Sequence, residues 1–314
     1  MAQILCVAQE DMSARKMVKL TIGVPLFNSE RLIKQCLENL LDQSCSDFRI
    51  HIFDNDSTDN TEAICQDFET RYSCINYTRN ETNIGQIDNF LAVLNNADTE
   101  YFMWHADDDL LSHNFVERLV LSLDRHCDAK LAVGAVVTRR LSKGTDQVYP
   151  FPRNFPVPRC VNKTNMLLRS RASWFYGIWR TDYLKKRFNY ITKTYPGLVG
   201  FDHLLLSLPI LDGEVAGDNE ARFIQVRDVQ RAGSGSQSTA PIDISEMIKQ
   251  KLANRQLFRQ AFAAEFSNSK LAGFDRIWIS LFGKIYADRC SQSGFRKLLH
   301  LRSSILMKHL MGRA

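Results

Sequence analysis

Three short polar clusters carry residue types that could do chemistry. In the first, the apolar run YFMWH (101–105) is followed by three consecutive aspartates, Asp107, Asp108 and Asp109, and then by Leu110 and Leu111. Adjacent carboxylates repel one another. A hard divalent cation relieves that repulsion, and Mg²⁺ or Mn²⁺ commonly takes one or two carboxylates plus substrate phosphates. Three aspartates after one strand can supply a metal ligand and still leave a side chain for a ribose hydroxyl. The competing role is a solvated acidic turn that favours the N-terminus of the next helix. The apolar strand entering the cluster, together with two further polar clusters, favours the metal. The second cluster is Asp54-Asn55-Asp56-Ser57-Thr58-Asp59. Asp54 closes a strand, where a carboxylate can accept the imide N–H of a pyrimidine base; Ser57, Thr58 and Asp59 suit a helix cap, and Asn55 and Asp56 are open. The third is Pro25-Leu26-Phe27-Asn28, where proline ends a strand and frees main chain to line a pocket; taken alone it is a turn and a cap. Asn83 and Gly85 form a turn before a helix, and the glycine permits close approach of backbone to a ligand.

The surrounding pattern must hold these clusters in place. KLTIGVP (19–25), FRIHIFD (48–54), CINYT (74–78), YFMWH (101–105) and KLAVGAVVT (130–138) read as strands. Between them apolar residues recur at helical spacing, as at Ile33, Cys36, Leu37, Leu40 and Leu41, with Asn28 and Ser29 as available N-caps. Such β-α alternation predicts a mostly parallel sheet flanked by helices. Ligands of open sheets bind outside the carboxyl ends of the strands. All three clusters fall at such ends, so they are expected to converge on one crevice. Residues 139–160, with four prolines, read as a long surface loop that covers the site. A helix is expected over 201–211, a strand over 221–229, and a helical C-terminal part with an apolar stripe at Leu252, Leu257, Phe258, Phe262 and Phe266.

Composition narrows the class. The chain has 314 residues, 45% hydrophobic and 24% charged, enough to bury a sizeable core. A net charge of +5 is too mild to suggest a nucleic-acid partner. None of the eight cysteines forms a C-x-x-C pair, so they read as small buried hydrophobes of a reducing compartment rather than as zinc ligands or a disulfide framework. MAQILCVAQEDMSARK at the start is a poor secretory leader, and no apolar run approaches the roughly 18 residues of a membrane span. A cytoplasmic protein, peripheral on a membrane at most, is expected. Neither G-x-G-x-x-G nor G-x-x-x-x-G-K-[ST] occurs, so phosphate charge would be met by a metal and basic side chains.

TIGVPLFN, FDNDSTDNT, TNIGQIDNF and WHADDDLL, in this order and spacing, resemble the family 2 glycosyltransferases, inverting enzymes of the GT-A fold. The resemblance covers roughly Lys19 to Arg231. It implies a Rossmann-like α/β domain over 18–231, with a nucleotide-sugar half (18–138) and an acceptor half (139–231), after a 1–17 extension and before a helical 232–314 region. It implies that Pro25, Phe27, Asn28 and Asp54 cradle the nucleotide base, that Asn83, Gly85 and Asn89 flank the nucleotide-sugar, and that Asn55, Asp107 and Asp108 contact it. A D-x-D element would bind Mn²⁺ or Mg²⁺ on the diphosphate. Many relatives carry aspartate where this chain has His105, so the working pair is Asp107 with Asp109 or Asp107 with Asp108. An inverting transfer needs a general base for the acceptor hydroxyl. Asp202 in VGFDHLLL is the match, with a helix N-cap as its other role and His203 as the fallback. Trp174, Tyr176, Gly177 and Trp179 resemble the acceptor-side segment, although core packing suits them equally. Arg227 and Arg231 lie where relatives often place basic diphosphate contacts, although solvent exposure is the simpler account.

The implied partners are a nucleotide-sugar donor, with UDP favoured, and a glycan or lipid-linked glycan acceptor. From Lys284 to Ala314 basic residues alternate with apolar ones and Asp288 is the one acid, a pattern that suits an anionic membrane surface or a packed helix with a solvated face. Two other readings fit the acidic cluster: a metal-dependent nucleotidyltransferase, and a catalytically silent nucleotide-sugar-binding protein.

Overall fold

The structure, a computed structural model, describes residues 18–227 and 244–291. The 1–17 extension, Arg231 and the 292–314 part of the basic segment lie outside the described residues. The alternation appears as β1 (Leu20–Leu26), α1 (Ile33–Leu41), β2 (Phe48–Asp54), α2 (Thr61–Arg71), β3 (Ile75–Arg79), α3 (Gln86–Asn95) and β4 (Tyr101–Trp104). Then follow β5 (Leu110–Leu111), α4 (Phe115–Arg125), β6 (Leu131–Arg140), β7 (Thr145–Tyr149), α5 (Arg159–Arg169), β8 (Ile178–Arg180), α6 (Thr181–Thr194), α7 (Phe201–Asp212), β9 (Val215–Arg227), α8 (Ile244–Asn268) and α9 (Gly273–Ser291).

The strand order is β3-β2-β1-β4-β8-β6-β9-β5. β1 pairs in parallel with β2 and β4, β2 with β3, and β6 with β9 along its whole length. The antiparallel pairings, β4/β8, β6/β8, β5/β9 and β6/β7, are shorter than that last ladder. Chain order reverses across β1, with β2 on one side and β4 on the other, which makes the crevice beyond their carboxyl ends the topological switch point. One face of the sheet is covered by α1, α2 and α4, the other by α3 and α5–α9. Each helix follows from an apolar face: α1 buries Ile33, Cys36, Leu37 and Leu40. At Gly23 in β1 a Cβ would lie 2.7 Å from the Phe102 ring and 2.9 Å from Val93, so the glycine lets α3 pack close.

Two expectations are corrected. Residues 139–160 are not a structureless cover: β6 runs on to Arg140, turns through a short 3-10 segment, and returns as β7. Val148 and Tyr149 of β7 pair with Val137 and Val136 of β6, and Pro150, Pro152, Pro156 and Pro158 fall after the ladder. Neither Asn28 nor Ser29 caps α1 through its side chain; the Ser29 carbonyl instead accepts from the Leu32 and Ile33 N–H groups.

α8 and α9 share the core of the main helices. Phe258, Phe262, Ile279 and Tyr286 belong to the same buried cluster as Trp104, Phe175 and Phe188. Arg187 of α6 and Glu265 of α8 form a buried ion pair, and Arg187 also donates to the carbonyls of Leu204 (2.7 Å) and Leu205 (3.5 Å) in α7. Burial pushes the Glu265 carboxyl up while Arg187 pulls it down. Removing one partner leaves a buried charge unpaired, so Glu265→Ala is expected to lower unfolding free energy by about 3–5 kcal/mol. Urea denaturation of the full chain checks this; a loss within ~0.5 kcal/mol would assign the pair no structural weight.

Candidate active site

A cavity of about 340 Å³ opens beyond the carboxyl ends of β1, β2 and β4. Its walls include Asp107 from the first cluster, Asn55 from the second and Pro25–Asn28 from the third, followed by Ser29, so the three clusters converge as their strand-end positions require. Asn83, Gln86, Asn89 and Phe90, from the turn and start of α3, complete one side. Phe27 is 50% exposed and offers an aromatic face. Arg31 is a lining cation that no motif in the sequence singles out.

The frame of the cavity is a hydrogen-bonded lattice. Asn28 sits at φ 53° and Asp56 at φ 65°, left-handed conformations that Asn and Asp tolerate better than most residues. Asn28 donates its N–H to Ser57 Oγ (2.8 Å) and accepts from the Thr58 N–H (2.8 Å), which latches the third cluster to the second. Asn55 donates to Asn83 Oδ1 (2.9 Å) and the Gly85 carbonyl (3.3 Å), and accepts from Asn80 Nδ2 (3.1 Å) and the Ile84 N–H (2.9 Å). Asn89 accepts from Asn80 and donates to the Phe53 carbonyl. Gly85, at φ 86°, starts α3 in a conformation that suits glycine, with open space where a Cβ would be. Asn80 was missed because nothing in its local sequence marks it.

Asp54 is corrected. It is fully buried and does not line the cavity. One carboxylate oxygen accepts from the Ser57 N–H and hydroxyl; the other accepts from the Tyr77 hydroxyl (2.7 Å) and Arg79 (3.5 Å). Burial and the bond to Asp54 both push the Tyr77 hydroxyl's pKa up. Arg79 also reaches Asp56 (2.8 Å) and Glu62 (3.2 Å). Asp54 is therefore a brace between strand ends, not a surface for a base.

Among the aspartates, Asp107 and Asp108 are half-buried, while Asp109 is buried with one oxygen accepting the Val226 N–H of β9 (3.1 Å). The expectation of Asp109 as a metal ligand is corrected accordingly, and Asp107 with Asp108 is the accessible pair. Among the described residues no group of three or more His, Cys, Asp or Glu is arranged to hold a metal by itself. An aspartate on the cavity wall with a second beside it fits a hard cation completed by diphosphate oxygens. His105 is fully buried and neither ring nitrogen makes a well-formed hydrogen bond. Burial pushes its pKa down to about 4, against the opposing Asp108 carboxylate and Asp109 backbone.

A second cavity of about 380 Å³ adjoins the first and shares Gln86, Phe90 and Tyr176 with it. Asp202, at the start of α7, lines it, as do Gln225 and Arg227. Asp202 Oδ1 accepts the His203 N–H (2.7 Å). Tyr176 stacks on Phe223 at 5.4 Å between ring centroids. Trp174 and Trp179, expected on the acceptor side, are buried in the core, and Trp179 donates to the Phe175 carbonyl, so neither offers a face to a ligand. Gly177 packs against the Ala132 carbonyl. His203 turns towards Tyr286 of α9; burial lowers its pKa while Asp202 opposes the shift.

The sheet thus carries an acidic strand end at its switch point, where open α/β folds bind their ligands. The chain's residues 21–197, more than half of it, match the model for glycosyl transferase family 2, and the chain belongs to that family. Curated relatives include glycosyltransferase GlyA of Streptococcus pneumoniae, 29% identical over 126 residues (40% of this chain, 18% of the relative). The abequosyltransferase RfbV of Salmonella typhimurium is 32% identical over 111 residues (34% of this chain, 33% of the relative). These alignments span less than half of the relatives' length. Among solved structures, S. aureus TarS 1–349 in complex with UDP-GlcNAc superposes with a TM-score of 0.64 at 18% identity, covering 88% of this chain and 75% of that one. The mannosyltransferase PcManGT of Pyrobaculum calidifontis, in complex with GDP-Man and Mn²⁺, gives 0.52 at 13% identity, covering 98% and 87%. At these identities the likeness establishes the fold.

A histidine kept neutral by burial binds fewer protons folded than unfolded between its folded pKa of about 4 and its ordinary 6.5. Its contribution is present above about pH 6.5 and is lost as pH falls towards 4, by up to about 3 kcal/mol. Urea unfolding at intervals from pH 7 to 4.5 is expected to show stability falling less steeply in His105→Asn than in the parent. Parallel curves would contradict the buried neutral imidazole.

Proposed function

We propose that the protein is an inverting glycosyltransferase that moves a sugar from a nucleotide-sugar, a UDP-sugar first, to a hydroxyl of a glycan or lipid-linked acceptor in cell-surface polysaccharide synthesis. The observation that carries this reading is the pair of adjoining cavities, one bearing Asp107 and the other Asp202, with Gln86, Phe90 and Tyr176 as their common wall. The family match supports it, as does the fold shared with TarS, solved with UDP-GlcNAc, and with PcManGT, solved with GDP-Man and Mn²⁺. The absence of a membrane-crossing helix among the described residues is compatible with work at the cytoplasmic membrane face.

In this reading the base lies against Phe27 and the main chain of 25–28, with the Asn55–Asn80–Asn83 lattice holding that wall in shape. Arg31 adds positive charge at the donor side. Asp107 with Asp108 would hold Mn²⁺ or Mg²⁺, which when bound neutralises charge on the diphosphate and eases its departure. Asp202 takes the proton of the acceptor hydroxyl onto a carboxylate oxygen. The acceptor oxygen bonds to the anomeric carbon from the face opposite the diphosphate, the carbon–oxygen bond to the diphosphate breaks, and the configuration inverts. The backbone of the α7 start holds the Asp202 carboxylate in place, which favours a fixed general base.

Two variants separate donor binding from proton transfer. Asp107→Ala is expected to weaken Mn²⁺-dependent UDP binding at least tenfold by calorimetry. Asp202→Asn is expected to leave that binding unchanged while transfer, measured with a panel of nucleotide-sugars, falls by about 10²–10⁴-fold. Near-parental transfer by Asp202→Asn would remove it as the base.

A further inference from the structure

α9 carries an apolar face that no described residue covers. Phe274, Ile277, Leu281 and Ile285 are 65%, 65%, 66% and 56% exposed. Their spacing of three, four and four puts them on one side of the helix, a continuous strip about three turns long. Single exposed apolar side chains are ordinary, but four in register on one helix form a patch that calls for an occupant. The opposite side of the helix is committed to the core through Ile279, Gly283, Tyr286 and Cys290.

Charge selects the occupant. In the sequence from 273 to 314 there are eight Lys or Arg and two Asp, a balance of +6; Arg276, Lys284 and Arg289 lie on α9, and the other five follow it in the chain, outside the described residues. One of the two acids, Asp288, is taken up by Arg255 and Arg259 of α8. Lys284 lies exposed beside the strip, between Leu281 and Ile285. A second copy of this chain, or the basic 292–314 segment itself, would bring like charge against it. An anionic surface with an apolar interior complements both the strip and the charge.

We propose that the Phe274–Ile285 face of α9 is a membrane-docking surface for an anionic lipid bilayer. Its place relative to the site gives docking a consequence. Tyr286, one residue beyond Ile285 and facing inward, donates its hydroxyl to the His203 carbonyl (3.2 Å), next to Asp202. One helix, roughly 10 Å across, therefore separates the bilayer from the start of the helix that bears the proposed base. That geometry suits an acceptor whose hydroxyl is carried just above the membrane on a lipid, a link that rests on the transferase reading.

The test is co-sedimentation of the full chain with vesicles of phosphatidylcholine alone or mixed with phosphatidylglycerol. Binding is expected to the mixed vesicles, and to weaken several-fold between about 0.1 and 0.5 M salt as charge is screened. The double variant Ile277→Ser, Leu281→Ser is expected to reduce partition by about tenfold or more, since several apolar groups leave the bilayer. Its UDP affinity and unfolding midpoint should match the parent, because the altered side chains are exposed. If that variant unfolds early, Phe274→Ser with Ile285→Ser is the replacement. The proposal is overturned if the parent ignores mixed vesicles, if the variants partition like the parent, or if the variants only dissolve a dimer seen by sedimentation. Partition needs no nucleotide, so vesicle binding without UDP binding sinks the transferase reading alone, and the reverse outcome sinks the docking surface alone.

Discussion

A carboxylate without solvent must have its charge met by hydrogen bonds, and Asp54 is the place in this fold where that requirement organises everything around it. It ends β2, receives the Ser57 N–H and hydroxyl from the next loop, and receives Tyr77 and Arg79 from β3. Ser57 in turn accepts the Asn28 N–H, so the loop after β1 is tied to the same carboxylate at one remove. Arg79 carries the connection on to Asp56 and Glu62. The wall formed by 25–28 and Asn55 depends on this chain of bonds, and the strained φ values at Asn28 and Asp56 persist because it over-determines them. Rigid backbone there is what allows a site with few free side chains to present a shaped surface.

The other half of the site is supported from the C-terminal side. Gly200, at φ 79°, precedes Asp202, and the Phe258 ring of α8 lies 2.8 Å from where a Cβ would stand. Arg187 binds two carbonyls of α7 while its charge is met by Glu265 of α8, and Tyr286 of α9 reaches the His203 carbonyl. The start of α7 is thus held by side chains from three helices. α8 and α9 belong to the architecture of the site, although the family match ends at residue 197.

Much of the first half was legible in the sequence because strand and helix periods are local. β1 to β4 and α1 to α4 appear where alternation and helical spacing place them, and a parallel sheet then dictates which ends converge. What failed was orientation. An acid at the end of a strand reads the same whether it faces a pocket, like Asp107, or a buried arginine and tyrosine, like Asp54. The run SWFYGIW contains two tryptophans that fill the core and one tyrosine that lines both cavities, and hydrophobicity alone does not sort them. Asn80 owes its role to contacts across the sheet ends, Arg31 is marked only by the cavity it lines, and the α8–α7 support comes from packing between distant parts of the chain; no local pattern encodes these. The exposed strip of α9 is a burial fact, visible once the inward face of that helix is known.

The central claim is that one crevice holds the donor against Asp107 while Asp54 braces the wall from behind. A crystal structure of the full chain with UDP and Mn²⁺ tests it most directly. The expected result is the diphosphate and the ion against Asp107, the uracil between Phe27 and the 25–28 main chain, and Asp54 still bonded to Ser57, Tyr77 and Arg79. A uracil imide hydrogen-bonded to Asp54, or a nucleotide bound away from Asp107, would contradict it.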